Sequence, residues 1–309
     1  GVPPVYRING TLQRPIETSI DPVMMDSFLD DIMNREQKQR FERDKECDFA
    51  VGARDMGRFR VNVFRQRGSI AIVLRHIQAK IPAFEELHLP EVIRDLALTK
   101  RGLVLVTGTT GSGKSTTLAS MLDYINQKES VNIITVEDPI EYLYRDNKAI
   151  ISQREIGVDT LSYANALRAA LRQDPDVLLV GEIRDLETMQ IAMTAADTGH
   201  MVFATIHTTN ATETIHRVLS MYPPHQHDEI RLLLAEVLAG IISLRLLATK
   251  DGKGRVPAAE ILVNTGAIKE YILDKDKIDL VEQAVAEGHM QYHSQTFDQA
   301  LRELYSTDP

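Results

Sequence analysis

Cysteine is nearly absent from this chain: Cys47 is the only one in 309 residues. A single thiol closes no disulfide within the chain and cannot build a four-cysteine zinc site. It fits a reducing compartment. Long apolar runs are missing as well, since no stretch reaches the roughly 18 residues of a membrane span. The nearest, Leu232–Leu247, is interrupted by Glu236 and Arg245 and reads as a buried helix. No signal peptide opens the chain, and the start Gly1-Val2-Pro3-Pro4 has no methionine, which points to an upstream segment. Basic excess is absent too: the formal net charge is −9. Nonspecific nucleic-acid binding draws most of its affinity from neutralised phosphates. Nor is there a strip of interleaved aromatic and basic residues on which bases could stack. Nucleic acid is therefore not an expected partner. Internal repeats and low-complexity tracts are not found.

What remains is an ordinary globular mix, 43% hydrophobic and 26% charged, long enough for about two domains and a large core. The first 80 residues read as a small mixed domain. Val5–Ile8 and Thr11–Gln13 flank Asn9-Gly10, a hairpin signal. From Asp21 the pattern turns helical, with Met25, Phe28, Leu29 and Ile32 on one face. Strand-like runs follow at Asp48–Ala53, Arg58–Phe64 and Ser69–Arg75. In the middle run Arg58, Arg60 and Asn62 alternate with Phe59, Val61 and Val63, the period of a sheet with one wet face. Lys80–Pro90, with Pro82 and Pro90, reads as a linker over about residues 81–90.

From Glu91 onward short apolar runs alternate with helical segments. Leu103–Thr107, Val131–Glu137, Val177–Val180 and Met201–Ile206 are rich in Val, Ile and Leu and do not alternate, as expected for strands buried on both faces. Lys114–Asn126, Leu161–Arg172 and Leu186–Asp197 separate them as helices. The rhythm predicts an α/β domain over 91–309 with an open, mainly parallel sheet. Ligands of such sheets sit beyond the carboxyl ends of the strands.

One of those ends carries Gly108-Thr109-Thr110-Gly111-Ser112-Gly113-Lys114-Ser115, the phosphate-loop pattern GxxxxGK[ST]. Its glycines let backbone N–H groups turn toward phosphates, and the helix that follows adds unpaired N–H groups and the positive end of its dipole. Lys114 can reach the outer phosphates and Ser115 can ligate Mg²⁺. The loop follows an apolar strand and opens a helix, the arrangement the motif needs.

The other strand ends carry acids and histidines. Glu137-Asp138-Pro139-Ile140-Glu141 follows a strand, where a water-orienting carboxylate is needed, although a solvated acidic loop reads the same way. Asp176–Gly181 leads to Glu182, the place of a Mg²⁺-organising acid. His200 and His207 bracket Met201–Ile206 at odd separation, which disfavours a shared metal but suits sensing of a γ-phosphate. A lone histidine is more often structural.

Taken in order, Val106–Thr117, Glu137–Glu141, Gly181–Asp185 and Thr198–Thr208 closely resemble the secretion ATPases, and within them the type IV pilus retraction ATPases. The resemblance runs from about Pro3 to Leu304. It implies a RecA-like P-loop core behind a smaller α+β, PAS-like domain at 1–80, with the 81–90 linker as hinge. It implies ATP and Mg²⁺ as ligands. By the same resemblance Gly108–Thr116 (Gly108, Thr109, Thr110, Gly111, Ser112, Gly113, Lys114, Ser115, Thr116) bind nucleotide, and Ser115 and Glu182 hold Mg²⁺. Glu141 becomes the catalytic carboxylate, His200 and His207 a histidine box, and Arg60 and Arg75 arginine fingers. The family forms six-membered rings at the cytoplasmic face of the inner membrane. A pilus platform protein is then the expected partner, with other pilus ATPases as further candidates.

Three departures accompany the resemblance. Full-length family chains extend past both ends of this one. The retraction branch carries Ala-Ile-Arg-Asn-Leu-Ile where this chain has Ala267-Ile268-Lys269-Glu270-Tyr271-Ile272. His216 stands where many relatives have Asp. Pilus-assembly or type II secretion ATPases are the alternative, opposed by the single cysteine; a RecA-like nucleic-acid translocase is a further one, opposed by the charge.

Overall fold

The alternating run at 58–64 becomes the middle strand of a three-stranded antiparallel sheet. The computed structural model describes residues 2–8, 11–54, 56–77, 80–250 and 254–307. These divide between Ala79 and Lys80 into two units. In the first, β1 (Tyr6–Ile8) pairs antiparallel with β2 (Thr11–Gln13); the Asn9-Gly10 turn between them lies outside the described residues. Helix α1 (Pro22–Ile32) starts where Asp21 accepts the Met24 N–H at 2.8 Å and proline fills the first turn. Leu29 is its buried residue, whereas Phe28 is exposed. Helix α2 (Arg35–Asp44) was not expected from the hydrophobic pattern, because only Phe41 of it is buried. Its signal is the capping box of Asn34 and Gln37.

Strands β3 (Glu46–Ala53), β4 (Gly57–Gln66) and β5 (Ser69–Ile77) form the sheet in that order. Val61 and Val63 are fully buried against Leu29, Phe41, Cys47 and Phe49. The other face of the sheet carries Arg60 directly opposite Arg75.

In the second unit, α3 (Phe84–Leu87) and α4 (Val92–Ala97) precede the central sheet. The stretch read as a linker therefore holds a helical turn. Phe84 is buried, and the Pro82 carbonyl accepts from the Ser120 hydroxyl at 2.6 Å. The sheet contains β6 (Gly102–Thr107), β7 (Asn132–Glu137), β8 (Ile150–Glu155), β9 (Val177–Val180), β10 (Met201–Ile206), β11 (Leu238–Ala248) and β12 (Arg255–Val263). Their order is β12-β11-β6-β10-β9-β7-β8, parallel throughout except between β11 and β12. This is the expected α/β architecture with a mainly parallel sheet.

Helices α5 (Lys114–Lys128), α6 (Tyr163–Ala170), α7 (Leu186–Asp197), α8 (Ala211–Ser220) and α9 (His227–Val237) connect the strands. The chain then continues through α10 (Gly266–Leu273), α11 (Val281–Glu287), α12 (His289–Tyr292) and α13 (Phe297–Thr307). The reason the strands do not alternate is visible in β6. Leu103 and Leu105 enter one core cluster, Val104 and Val106 the other, and all four are shielded from solvent.

The buried helix expected over Leu232–Leu247 is corrected. Helix α9 stops at Val237, and Leu238–Ala248 is a strand between β6 and β12. An unbroken apolar run has no period that separates helix from strand. Gly240 carries a local signal for close approach, since a Cβ there would lie 2.8 Å from the Leu262 carbonyl oxygen.

Candidate nucleotide site

Because β6, β10, β9 and β7 are mutually parallel neighbours, their carboxyl ends share one edge of the sheet. The register makes this quantitative: Thr107 is level with Ile206, and Val180 with both Ala204 and Val136. The next residues on these strands lead into the phosphate loop, His207, Glu182 and the acidic run to Glu141. Topology alone thus gathers four segments far apart in sequence.

The loop leaves β6 at Gly108, whose φ of +135° and close packing exclude a side chain: a Cβ would lie 2.5 Å from the Leu244 carbonyl oxygen. Gly113, at φ +101°, caps α5 without any side-chain hydrogen bond. The first N–H groups of α5 therefore have no partner within the helix, the feature that makes such ends anion sites. The Ser112 hydroxyl is buried without a partner in this same loop. Lys114 is buried, and its ammonium donates to the Gly108 and Thr109 carbonyls at 2.8 and 3.0 Å. Burial lowers its pKa, while the charges of Glu182 and Glu141 pull it back up. That coupling places both carboxylates within electrostatic reach of the lysine.

Glu182 follows Gly181, where a Cβ would lie 3.1 Å from the Tyr163 hydroxyl and from the Val136 carbonyl oxygen. Its side chain is only 17% exposed and meets Arg184 at 2.6 Å and His207 Nε2 at 3.1 Å. Burial resists its ionisation. The hydrogen bond and charge of Arg184, with His207 and Lys114, outweigh that and hold the carboxyl below its ordinary range. Arg184 is a site residue whose role the sequence did not reveal, although it stands two residues from Glu182.

Glu141 is exposed, on a loop whose base is buried. Glu137 closes β7 with its carboxyl accepting from Thr135 at 2.6 Å and Gln153 at 3.1 Å. Burial raises the pKa of Glu137. Tyr142, next to Glu141, is buried with its hydroxyl 2.9 Å from that of Thr116.

His200 stands apart from the phosphate loop. It lies at the amino end of β10, next to Gly102, whose N–H donates to the His200 carbonyl at 3.0 Å. The whole strand, about 20 Å at ~3.3 Å per residue, separates it from the edge that carries the phosphate loop. Its Nδ1 is 2.9 Å from the Ala195 carbonyl oxygen and 3.2 Å from the Thr198 hydroxyl, a local structural arrangement. Only His207 of the pair joins the site. In the first unit, Arg60 is half-buried and Arg75 exposed, side by side on one sheet face. Among the described residues neither forms an ion pair, and like charges directly opposite repel.

The donor set suits a hard cation bound through phosphates. Ser115 offers a hydroxyl from the first turn of α5, and Glu182 an ionised carboxylate, both oxygen ligands of the kind Mg²⁺ takes.

The type II/IV secretion system protein family matches residues 5–305. The chain is 44% identical over 304 residues to the type IV pilus retraction ATPase PilT of Pseudomonas aeruginosa, covering 98% of this chain and 88% of that protein. It is 42% identical over 306 residues to the type IV pilus ATPase PilU of the same organism, covering 99% and 80%. A solved structure of the pilus retraction motor PilT with bound ADP superposes with a TM-score of 0.91 at 47% identity, covering 99% of this chain and 87% of that one. With the same family matched from the small first unit through the α/β unit, the chain belongs to the type II/IV secretion system proteins and is similar within them to the type IV pilus retraction ATPases.

Proposed function

We propose that this chain is the subunit of a hexameric, Mg²⁺-dependent ATPase motor that retracts type IV pili. It would act peripherally at the cytoplasmic face of the inner membrane, on a pilus platform protein. The observation that carries the reading is the convergence of Lys114, Glu182 and the Glu141 loop at one sheet edge. Similarity to retraction ATPases along almost the whole chain directs that chemistry to pili.

The reaction is attack of water on the γ-phosphorus of ATP, giving ADP and inorganic phosphate. Its transition state needs positioning and charge more than covalent help. Residues 108–116 bind the phosphates, with Lys114 exchanging its two loop carbonyls for phosphate oxygens. Glu141 accepts a hydrogen bond from the attacking water and orients it. Glu182 and Ser115 hold Mg²⁺, which when bound neutralises phosphate charge. His207, resting on Glu182, senses the γ-phosphate. Arg60 and Arg75 supply positive charge to the developing phosphoryl group.

One feature favours a second reading, an extending or secreting motor. On α10, Lys269 lies 3.9 Å from Glu236 and Glu270 lies 2.6 Å from Lys277, in place of the retraction signature. A pilus strain lacking its own retraction ATPase separates the two. The chain restores retraction while its Glu182→Ala variant, with turnover lower by about 100-fold or more, does not. Full ATPase activity without retraction would refute the retraction reading and leave the ATPase intact.

A further inference from the structure

Several buried polar groups beneath Glu141 are not used by the hydrolysis scheme. Gln153, on β8, spends its whole amide on the Glu141 loop. Its Nε2 donates to the Tyr142 carbonyl at 2.8 Å and to Glu137 at 3.1 Å, and its Oε1 accepts from the Tyr144 N–H at 3.1 Å. Glu155, also on β8, accepts the Ile140 N–H at 3.2 Å. The backbone on both sides of Glu141 is therefore fixed to β8, while its side chain stays exposed to water.

Tyr142 adds a link of a different kind. Its ring is buried, and its hydroxyl lies 2.9 Å from that of Thr116, in the first turn of α5 beside Lys114 and Ser115. A phenylalanine would fill the same apolar space without a polar atom to satisfy. The hydroxyl is useful there only for what it bonds. It joins the carboxylate loop directly to the helix turn that binds phosphate.

We infer that Tyr142 is a positioning residue for Glu141, acting through its hydroxyl bond to Thr116 so that the water-orienting carboxylate is held in register with the phosphates. This rests on the assignment of Glu141 given above. Misplacement of a reacting group by about 1 Å can cost on the order of 100-fold in rate. Loss of one hydrogen bond behind it should cost less, about five- to tenfold.

The test is a double-mutant cycle on the full chain with steady-state and single-turnover ATP hydrolysis. Tyr142→Phe is expected to lower kcat about five- to tenfold and to leave KM for ATP and affinity for ADP within about twofold. In a Glu141→Ala background the same substitution should lower residual turnover no further, because its effect passes through that carboxylate. Tyr142→Phe keeps the buried ring, and a melting curve like that of wild type shows that any fall in kcat is not a loss of fold. Unchanged kcat, an equal fall in both backgrounds, or a loss confined to nucleotide affinity would overturn the inference. Wild-type turnover in Glu141→Ala would instead overturn the underlying assignment of Glu141. An inactive Glu141→Ala beside a fully active Tyr142→Phe would overturn the positioning role alone.

Discussion

At the scale of single residues, Glu182 has the most closely defined surroundings. Its carboxylate is held below the ordinary range against its own burial, by Arg184 first and then His207 and Lys114. A carboxyl whose pKa is depressed on folding adds stability that is full above its unfolded value and is lost as pH falls through the folded one. Glu182→Gln should therefore melt below wild type near neutral pH, with the gap closing as pH drops beneath the usual carboxylate range. Melting curves across that range test this, and a gap that does not change with pH would contradict it. Much of this site was legible in the sequence. The phosphate loop follows from a spaced motif and Glu182 from an acid at a strand end, whereas Glu141 is singled out of its acidic run only by the family resemblance. Arg184, Gln153 and Tyr142 were not, because their roles depend on which side chains the fold brings opposite them. His200 and His207 look equivalent in sequence, seven positions apart, and only the strand between them separates their fates.

At the scale of elements, a row of polar side chains crosses three adjacent strands beneath the loop. Thr107 donates to Ser243 at 2.9 Å, Ser243 stands directly opposite Glu260, and Glu260 accepts the Ala211 N–H at 2.7 Å. The register places them directly opposite one another on β6, β11 and β12, all buried. The row ties the stem of the phosphate loop to the first residue of α8, and so to the segment after His207. Glu260→Ala leaves the buried Ala211 N–H without its acceptor and should cost about 2–4 kcal/mol of stability. Glu260→Gln keeps the shape and should cost less. Burial raises the pKa of Glu260, so ionising it as pH climbs past 4.5 works against the fold until the raised folded value is passed. The stability of Glu260→Gln relative to wild type should accordingly improve from acid to neutral pH. Denaturant unfolding at several pH values measures it, and a relative stability that worsened with rising pH would refute it. None of this row was apparent beforehand, since β11 lies within an apolar run that reads as a helix. By contrast β6, β7, β9 and β10 were found within one residue of their ends, because full burial on both faces leaves a plain Val, Ile and Leu signature.

At the scale of the whole molecule, the chain divides into a small α+β unit and a larger α/β unit. Lys114, Glu141 and Glu182 lie in the larger one, the Arg60–Arg75 pair in the smaller. No helix among the described residues is long and apolar enough to cross a membrane. The central claim is that nucleotide turnover belongs to a ring of these chains. The most direct measurement combines light scattering after size exclusion, with and without ATP and Mg²⁺, with the ATPase rate of the same fractions and Lys114→Ala as control. The account predicts a hexamer whose turnover disappears in the variant. A hexamer-free preparation with full activity, or turnover that survives Lys114→Ala, would contradict it.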